Sequence, residues 1–128
     1  MLEMLVVDDE ETVGRIFAQR LRKEIREGAI VLHFARNGYE ALEVFERRLS
    51  ALGLVLSDIN MPGMSGLELL GRIRRQAPTV PVFMISAYED DKSRHQALEL
   101  GATGYLAKPM EFTELKRLLV QFGSGAHS

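Results

Sequence analysis

Five residues of this 128-residue chain have types and positions that could do chemistry together. Asp8 and Asp9 follow the apolar run from Met4 to Val7. Asp58 closes the run that begins at Leu54. Ser86 follows the run from Val80 to Ile85, and Lys108, itself followed by Pro109, comes after Gly104 to Ala107. Singly, each has an ordinary reading. An aspartate pair between strand and helix is a cap or a solvated turn. Asp58 before a Pro/Gly-rich loop is a turn residue. Ser86 caps, and Lys-Pro is a loop. Together, at the ends of strands in one parallel sheet, they bring three carboxylates, a hydroxyl and an ammonium to one rim. Three close carboxylates repel one another unless a cation is present. A hard divalent ion with oxygen ligands suits them, and Mg²⁺ among these keeps several waters. Metal and ammonium together neutralise phosphoryl oxygens, and the Ser86 hydroxyl can donate to another. A carboxylate so placed can attack phosphorus and form an aspartyl phosphate. That reaction needs positioning and charge neutralisation more than acid–base work. No histidine stands at any of these strand ends, in keeping with it.

The elements that must position these residues alternate along the chain. Short apolar runs at Met4 to Val7, Ile30 to Ala35, Leu54 to Leu56, Val80 to Ile85 and Gly104 to Ala107 read as buried strands. Between them, apolar residues recur at helical spacing. Val13, Ile16, Phe17, Leu21 and Ile25 mark a first helix, which Gly28 stops. Ala41, Leu42, Phe45 and Leu49 mark a second, after the Asn37-Gly38 turn. Leu67, Leu70 and Ile73 mark a third, ending before Pro78. A polar fourth helix runs from Asp90 to Leu100 with a thin apolar stripe of Ala97 and Leu98, extended at most to Gly101. Leu115, Leu118, Leu119 and Phe122 mark the fifth. Five strand–helix pairs without alternation inside the strands predict an α/β domain. Its parallel sheet is covered on both faces, with all strand C-termini at one edge.

Composition bounds the rest. The length fits one domain. Sixteen basic against eighteen acidic residues give a net charge of −2, so no global positive field draws the chain to nucleic acid or to a membrane surface. The absence of cysteine excludes disulfides, thiolate metal sites and a thiol nucleophile. No apolar run approaches the roughly 20 residues of a membrane span, and no basic segment precedes the first run. A cytoplasmic domain is expected. Residues 1–122 would form it, with 123–128 a small, flexible tail or the start of a linker. His33 and His95 read as single and unpartnered, and no metal is assigned to them.

On four segments the sequence resembles the receiver domain of two-component response regulators. They are Val6-Val7-Asp8-Asp9-Glu10, Asp58-Ile59-Asn60-Met61-Pro62-Gly63-Met64-Ser65-Gly66, Ser86-Ala87, and Gly101-Ala102 with Tyr105-Leu106-Ala107-Lys108-Pro109. The resemblance covers the chain from Leu5 to about Phe122. It implies a flavodoxin-like (βα)5 doubly wound parallel sheet with strand order 2-1-3-4-5. It implies that Asp58 accepts a phosphoryl group from a sensor histidine kinase or phosphotransfer protein. Asp9 would bind Mg²⁺ directly, Asp8 mainly through water, and the Asn60 backbone carbonyl would complete the protein's ligands beside Asp58. Lys108 would pair with Asp58 and then with its phosphate. Ser86 and Tyr105 would switch, changing the surface of the fourth helix, fifth strand and fifth helix. A downstream effector protein or an output domain absent from this chain would read that surface, and a homodimer could form. The Lys108-Pro109 bond would be cis. Ser86 replaces the commoner threonine, and Gly53 a frequent acidic residue. Asn60 and Tyr88 would flank the entry to the phosphoryl group.

Three other readings compete. Asp8-Asp9-Glu10-Glu11-Thr12 loosely echoes the motif of haloacid-dehalogenase-like phosphatases, with Asp8 as nucleophile, but Glu10 breaks the motif and no cap domain is present. A nucleotide or flavin binder needs a phosphate-cradling loop after the first strand, where this chain has four acids. A phosphorylation-independent interaction module has no need of Asp8, Asp9, Asp58 and Lys108 together.

Overall fold

The computed structural model describes residues 1–87, 91–108 and 110–123. Tyr88, Asp90, the Lys108–Pro109 peptide bond and all of the tail after Gly123 lie outside the described residues. Strands β1 (Leu2–Val7), β2 (Ile30–Ala35), β3 (Leu52–Asp58), β4 (Val82–Ser86) and β5 (Gly104–Ala107) form one parallel sheet in the order β2-β1-β3-β4-β5. Helices α1 (Glu11–Arg20), α2 (Arg22–Arg26), α3 (Gly38–Arg47), α4 (Gly66–Gln76), α5 (Asp91–Glu99) and α6 (Phe112–Phe122) cover it.

Strand residues point alternately to the two faces, and each face builds its own core. Leu5, Val7, Val55, Val82 and Met84 pack with Phe45 of α3, Leu69, Leu70 and Ile73 of α4, and Ala97 of α5. Met4, Val6, Leu54, Leu56, Phe83 and Ile85 pack with Phe17 of α1 and with Leu115 and Leu118 of α6. These are the apolar runs read from the sequence, without in–out alternation because both faces are covered, although β1 carries Glu3, β2 His33 and β3 Ser57. Register aligns the C-terminal ends. Val7 lies beside Ala35 and Ser57, Asp58 beside Ile85, and Ser86 beside Ala107. The chain leaves β1 outward to β2 and returns across it to β3. The crevice where the winding reverses therefore opens between the ends of β1 and β3.

Several expectations are corrected. The single first helix is interrupted at Leu21 (φ −104°, ψ 15°) and continues as α2. The break is local, because Leu21 still donates to the Phe17 carbonyl and accepts from the Ile25 amide, both at 2.9 Å. The α5 stripe narrows to Ala97, with Leu98 half-exposed. Ile16 of α1 and Leu49, past the end of α3, are also largely exposed. No described helix is long and apolar enough to cross a membrane.

His33 has partners. Its Nε2 lies 2.8 Å from Oε1 of Glu3, and Arg48 donates to the same carboxylate at 2.6 and 3.0 Å. Glu3 is only 2% exposed, on the interior strand β1 at the end remote from the acid pair. The Arg48 hydrogen bonds outweigh burial and, helped by His33, hold the Glu3 carboxyl down at about 2. A depressed acid contributes stability above its unfolded pKa and loses it as pH falls toward the folded value. Allowing for the half-exposed Arg48, that contribution is about 2 kcal/mol. Stability measured by urea between pH 6 and pH 3 should therefore fall more steeply in the parent than in Glu3→Gln. Parallel slopes would show that the network carries no linkage.

Candidate functional site

Asp8 is the first residue past β1, and its amide still donates to Ala35 at 3.0 Å. This ladder bond turns its carboxylate into the crevice, where it is nearly buried. Oδ1 accepts the Glu10 amide at 2.9 Å, and Oδ2 accepts the Lys108 ammonium at 2.8 Å. Asp9 stands beside it, exposed. Asp58 ends β3 and is 6% exposed. One carboxylate oxygen from each of Asp8, Asp9 and Asp58 lies within 4.8 Å of the others. Lys108 follows β5, and its amide donates to the Ser86 carbonyl at 2.9 Å, tying together the ends of β4 and β5. Ser86 itself is buried. All five residues singled out in the sequence thus meet at the C-terminal edge of the sheet.

The Lys108 ammonium is shared. It lies 2.8 Å from Asp8, 3.4 Å from Glu10 and 3.6 Å from Asp58, so its nearest partner is Asp8. Burial opposes its charge, but the Asp8 hydrogen bond and the Asp58 and Asp8 charges hold its pKa above the ordinary value. Asp58 is pushed the other way for an acid. Burial raises its pKa, the Asp8 and Asp9 charges add to this, and Lys108 and the Asn60 amide offset only part. The Asn60 amide donates to Asp58 Oδ1 at 3.4 Å, a long bond. Asp58 is the under-compensated carboxylate of the cluster. Removing the shared cation should unbalance it further. Lys108→Ala is expected to lower stability by about 2 kcal/mol, the cost of leaving buried carboxylates unpaired. Urea denaturation checks this, and an unchanged midpoint would mean that the ion pairs contribute nothing.

Beyond the cluster, the Tyr105 hydroxyl is buried and has no hydrogen-bond partner among the described residues, and the Arg94 guanidinium lies 5.9 Å from its ring centroid. Two features escape a sequence reading. Glu10 reads as a helix-start acid, yet its side chain caps nothing and reaches Lys108. A cavity of about 270 Å³ opens beside Asp8 and Lys108, between α1 and α6. Its signal is present as Val13, Ile16 and Phe17, but helical spacing alone assigns them to core.

The chain was compared with known proteins. The family profile described as "Response regulator receiver domain" matches residues 4–120. The sensory transduction protein RegX3 of Mycolicibacterium smegmatis is 38% identical over 115 residues, which are 90% of this chain and 47% of that protein. The chain therefore spans about half the length of that relative. The signal receiver domain of an HD domain-containing protein from Pseudomonas fluorescens Pf-5 superposes with a TM-score of 0.86 at 31% identity, covering 98% of this chain and 97% of that one. A chain of the CheX–CheY–BeF3–Mg²⁺ complex from Borrelia burgdorferi superposes at 0.82 with 25% identity, covering 94% of this chain and 88% of that one. The strand order, the acidic crevice at the switch point and these similarities agree, and the chain belongs to the response regulator receiver-domain family.

Proposed function

We propose that this receiver domain takes a phosphoryl group onto Asp58, with Asp8, Asp9, Asp58 and the Asn60 carbonyl as the protein ligands of Mg²⁺. One observation carries the reading. Three carboxylates meet within 4.8 Å at the β1/β3 crevice, with the Lys108 ammonium among them. The donor set fits the ion, being all hard oxygen with an excess of negative charge. When bound, Mg²⁺ supplies charge neutralisation for phosphoryl oxygens and for the crowded carboxylates. The chain's residues do the rest. Asp58 attacks phosphorus. Lys108, within reach of both Asp8 and Asp58, holds a phosphoryl oxygen. Ser86, at the end of the neighbouring strand, donates to another. The Tyr105 hydroxyl is already buried and has no hydrogen-bond partner among the described residues, so a rearrangement there breaks no bond of that hydroxyl. Its movement with Ser86 would reshape the α5–β5–α6 surface, the counterpart of the surface expected from the sequence. The domain is then a signalling phosphoacceptor, not a turnover enzyme. Its donor is a sensor histidine kinase or phosphotransfer protein, and its reader a downstream effector, a second copy or an output domain. The cytoplasm is where such partners meet it. Residues 1–122 make up the domain, and 123–128 the tail or linker.

Intact-mass spectrometry tests the proposal. With acetyl phosphate and Mg²⁺ the chain should gain one phosphate, and chelation should abolish the gain. No adduct under saturating donor would overturn it. Metal binding has its own readout. At Mg²⁺ a hundredfold above its Kd, stability should rise by about 2.7 kcal/mol. Asp9→Asn should erase most of that rise, and an undiminished rise would remove Asp9 from the ligand set.

A further inference from the structure

We propose that Glu10 is a positioning residue that restrains Lys108, slowing phosphoryl uptake by holding the ammonium back from Asp58. The inference rests on the proposed phosphoryl transfer to Asp58 and deepens it. Glu10 is the N-cap residue of α1, yet its side chain makes no cap hydrogen bond. The backbone there is fixed independently of that side chain. The Glu10 amide donates to Asp8 Oδ1 at 2.9 Å, and its carbonyl accepts the Val13 amide at 3.0 Å. The side chain instead crosses to the end of β5 and sets Oε1 3.4 Å from the Lys108 ammonium.

An ammonium has three N–H donors. Around Lys108 stand three carboxylates, Asp8 at 2.8 Å, Glu10 at 3.4 Å and Asp58 at 3.6 Å. The last distance is a charge contact and not a hydrogen bond. To hold a phosphoryl oxygen on Asp58, the ammonium must move toward the end of β3, away from Asp8 and Glu10 at the end of β1. These two restraints differ in strength. Asp8 is nearly buried and pairs at short range, so it keeps its hydrogen bond. The Glu10 side chain is 62% exposed, so water replaces the ammonium there at little cost. Glu10 is therefore the partner that gives way. Until it does, its negative charge also stands against the incoming phosphoryl oxygens.

Rates of adduct formation from acetyl phosphate, measured by intact mass at saturating Mg²⁺, test the role. Glu10→Gln keeps the length of the side chain and removes its charge. It should raise the second-order rate about threefold, the size of one exposed ion pair. Glu11→Gln controls for the general field. It removes the same charge one residue on, from a carboxylate that pairs with Arg15 at 2.8 Å and Arg36 at 3.8 Å, and should leave the rate close to the parent's. The gain in Glu10→Gln should shrink toward nothing at about 1 M salt, where exposed charges are screened; a merely structural effect would persist. A non-reacting analogue gives a second readout. With Mg²⁺ present, beryllofluoride followed by fluorine NMR should bind Glu10→Gln more tightly than the parent by a similar factor. Equal or slower uptake in Glu10→Gln, an equal gain in Glu11→Gln, a gain that salt leaves intact, or unchanged beryllofluoride affinity would overturn the role of Glu10 and leave the Asp58 reading standing. No adduct in the parent chain would remove both.

Discussion

Asp58→Asn is expected to gain no phosphate from acetyl phosphate, and to be more stable than the parent at neutral pH. The two effects have one origin. Both Asp8 oxygens are engaged at short distance, one by the Glu10 amide at 2.9 Å and the other by Lys108 at 2.8 Å. Among the described residues, Asp58 is held by a 3.4 Å amide contact and an ammonium 3.6 Å away. Its lone pairs are the available ones. Burial, the nearby Asp8 and Asp9 charges and weak compensation raise its pKa, so the ionised form is both costly and nucleophilic. An acid whose folded pKa is raised penalises the folded state at pH values above its unfolded pKa. The neutral amide of asparagine escapes that penalty and cannot form the acyl phosphate. The stability gain should fade as pH drops through the acid range, where the parent carboxyl is also neutral. Asp8→Asn, by contrast, should retain some adduct. It loosens Lys108 and the ligand set but leaves the acceptor in place. If Asp58→Asn still gains phosphate while Asp8→Asn does not, Asp8 is the nucleophile and a haloacid-dehalogenase-like reading replaces this one.

The parts legible in the sequence were those governed by short-range rules. Apolar runs without alternation located all five strands because a parallel sheet covered on both faces buries both sides of its strands. Asp8, Asp9, Asp58, Ser86 and Lys108 were found because each immediately follows or closes such a run, and the topology then brings run ends together. What escaped depends on contacts between residues far apart in the chain. Glu3 carries no signal of its own in the sequence. Its burial makes sense only once Arg48 and His33, both distant in sequence, meet it at the sheet. Glu10 looked like a helix-start acid, and Lys108, nearly a hundred residues on, claims its side chain. Lys108 pairs with Asp58 at 3.6 Å, as the resemblance implies, but Asp8 at 2.8 Å is its nearer partner. Sequence order says which groups share a rim, and ångström distances decide which carboxylate holds the ammonium. The cavity was invisible because Val13 and Phe17 have the same spacing whether they fill space or line it.

Gly66→Ala is expected to lower stability by about 3 kcal/mol, and with it the rate of phosphoryl uptake. Gly66 opens α4, which Ser65 caps by accepting the Glu68 amide at 3.1 Å. The Gly66 amide donates to the Ile59 carbonyl at 2.8 Å, pinning the helix start against the residue after Asp58. A β-carbon there would stand 2.1 Å from the Asp58 carbonyl oxygen and 2.8 Å from Cα of Ile59. Both are backbone atoms, so no rotamer change relieves the clash. Either α4 retreats, opening the contacts of Leu69, Leu70 and Ile73 with the sheet, or the Asp58 backbone shifts and carries its carboxylate away from Lys108. Gly71→Ala in the same helix makes the control. A β-carbon at Gly71 meets nothing within 4 Å, so alanine gains its helix propensity without a clash and should stabilise by about 0.5–1 kcal/mol. Urea denaturation of the two variants separates packing from propensity. Opposite signs are expected, and a Gly66→Ala midpoint equal to the parent's would mean that the helix start does not fix the position of Asp58.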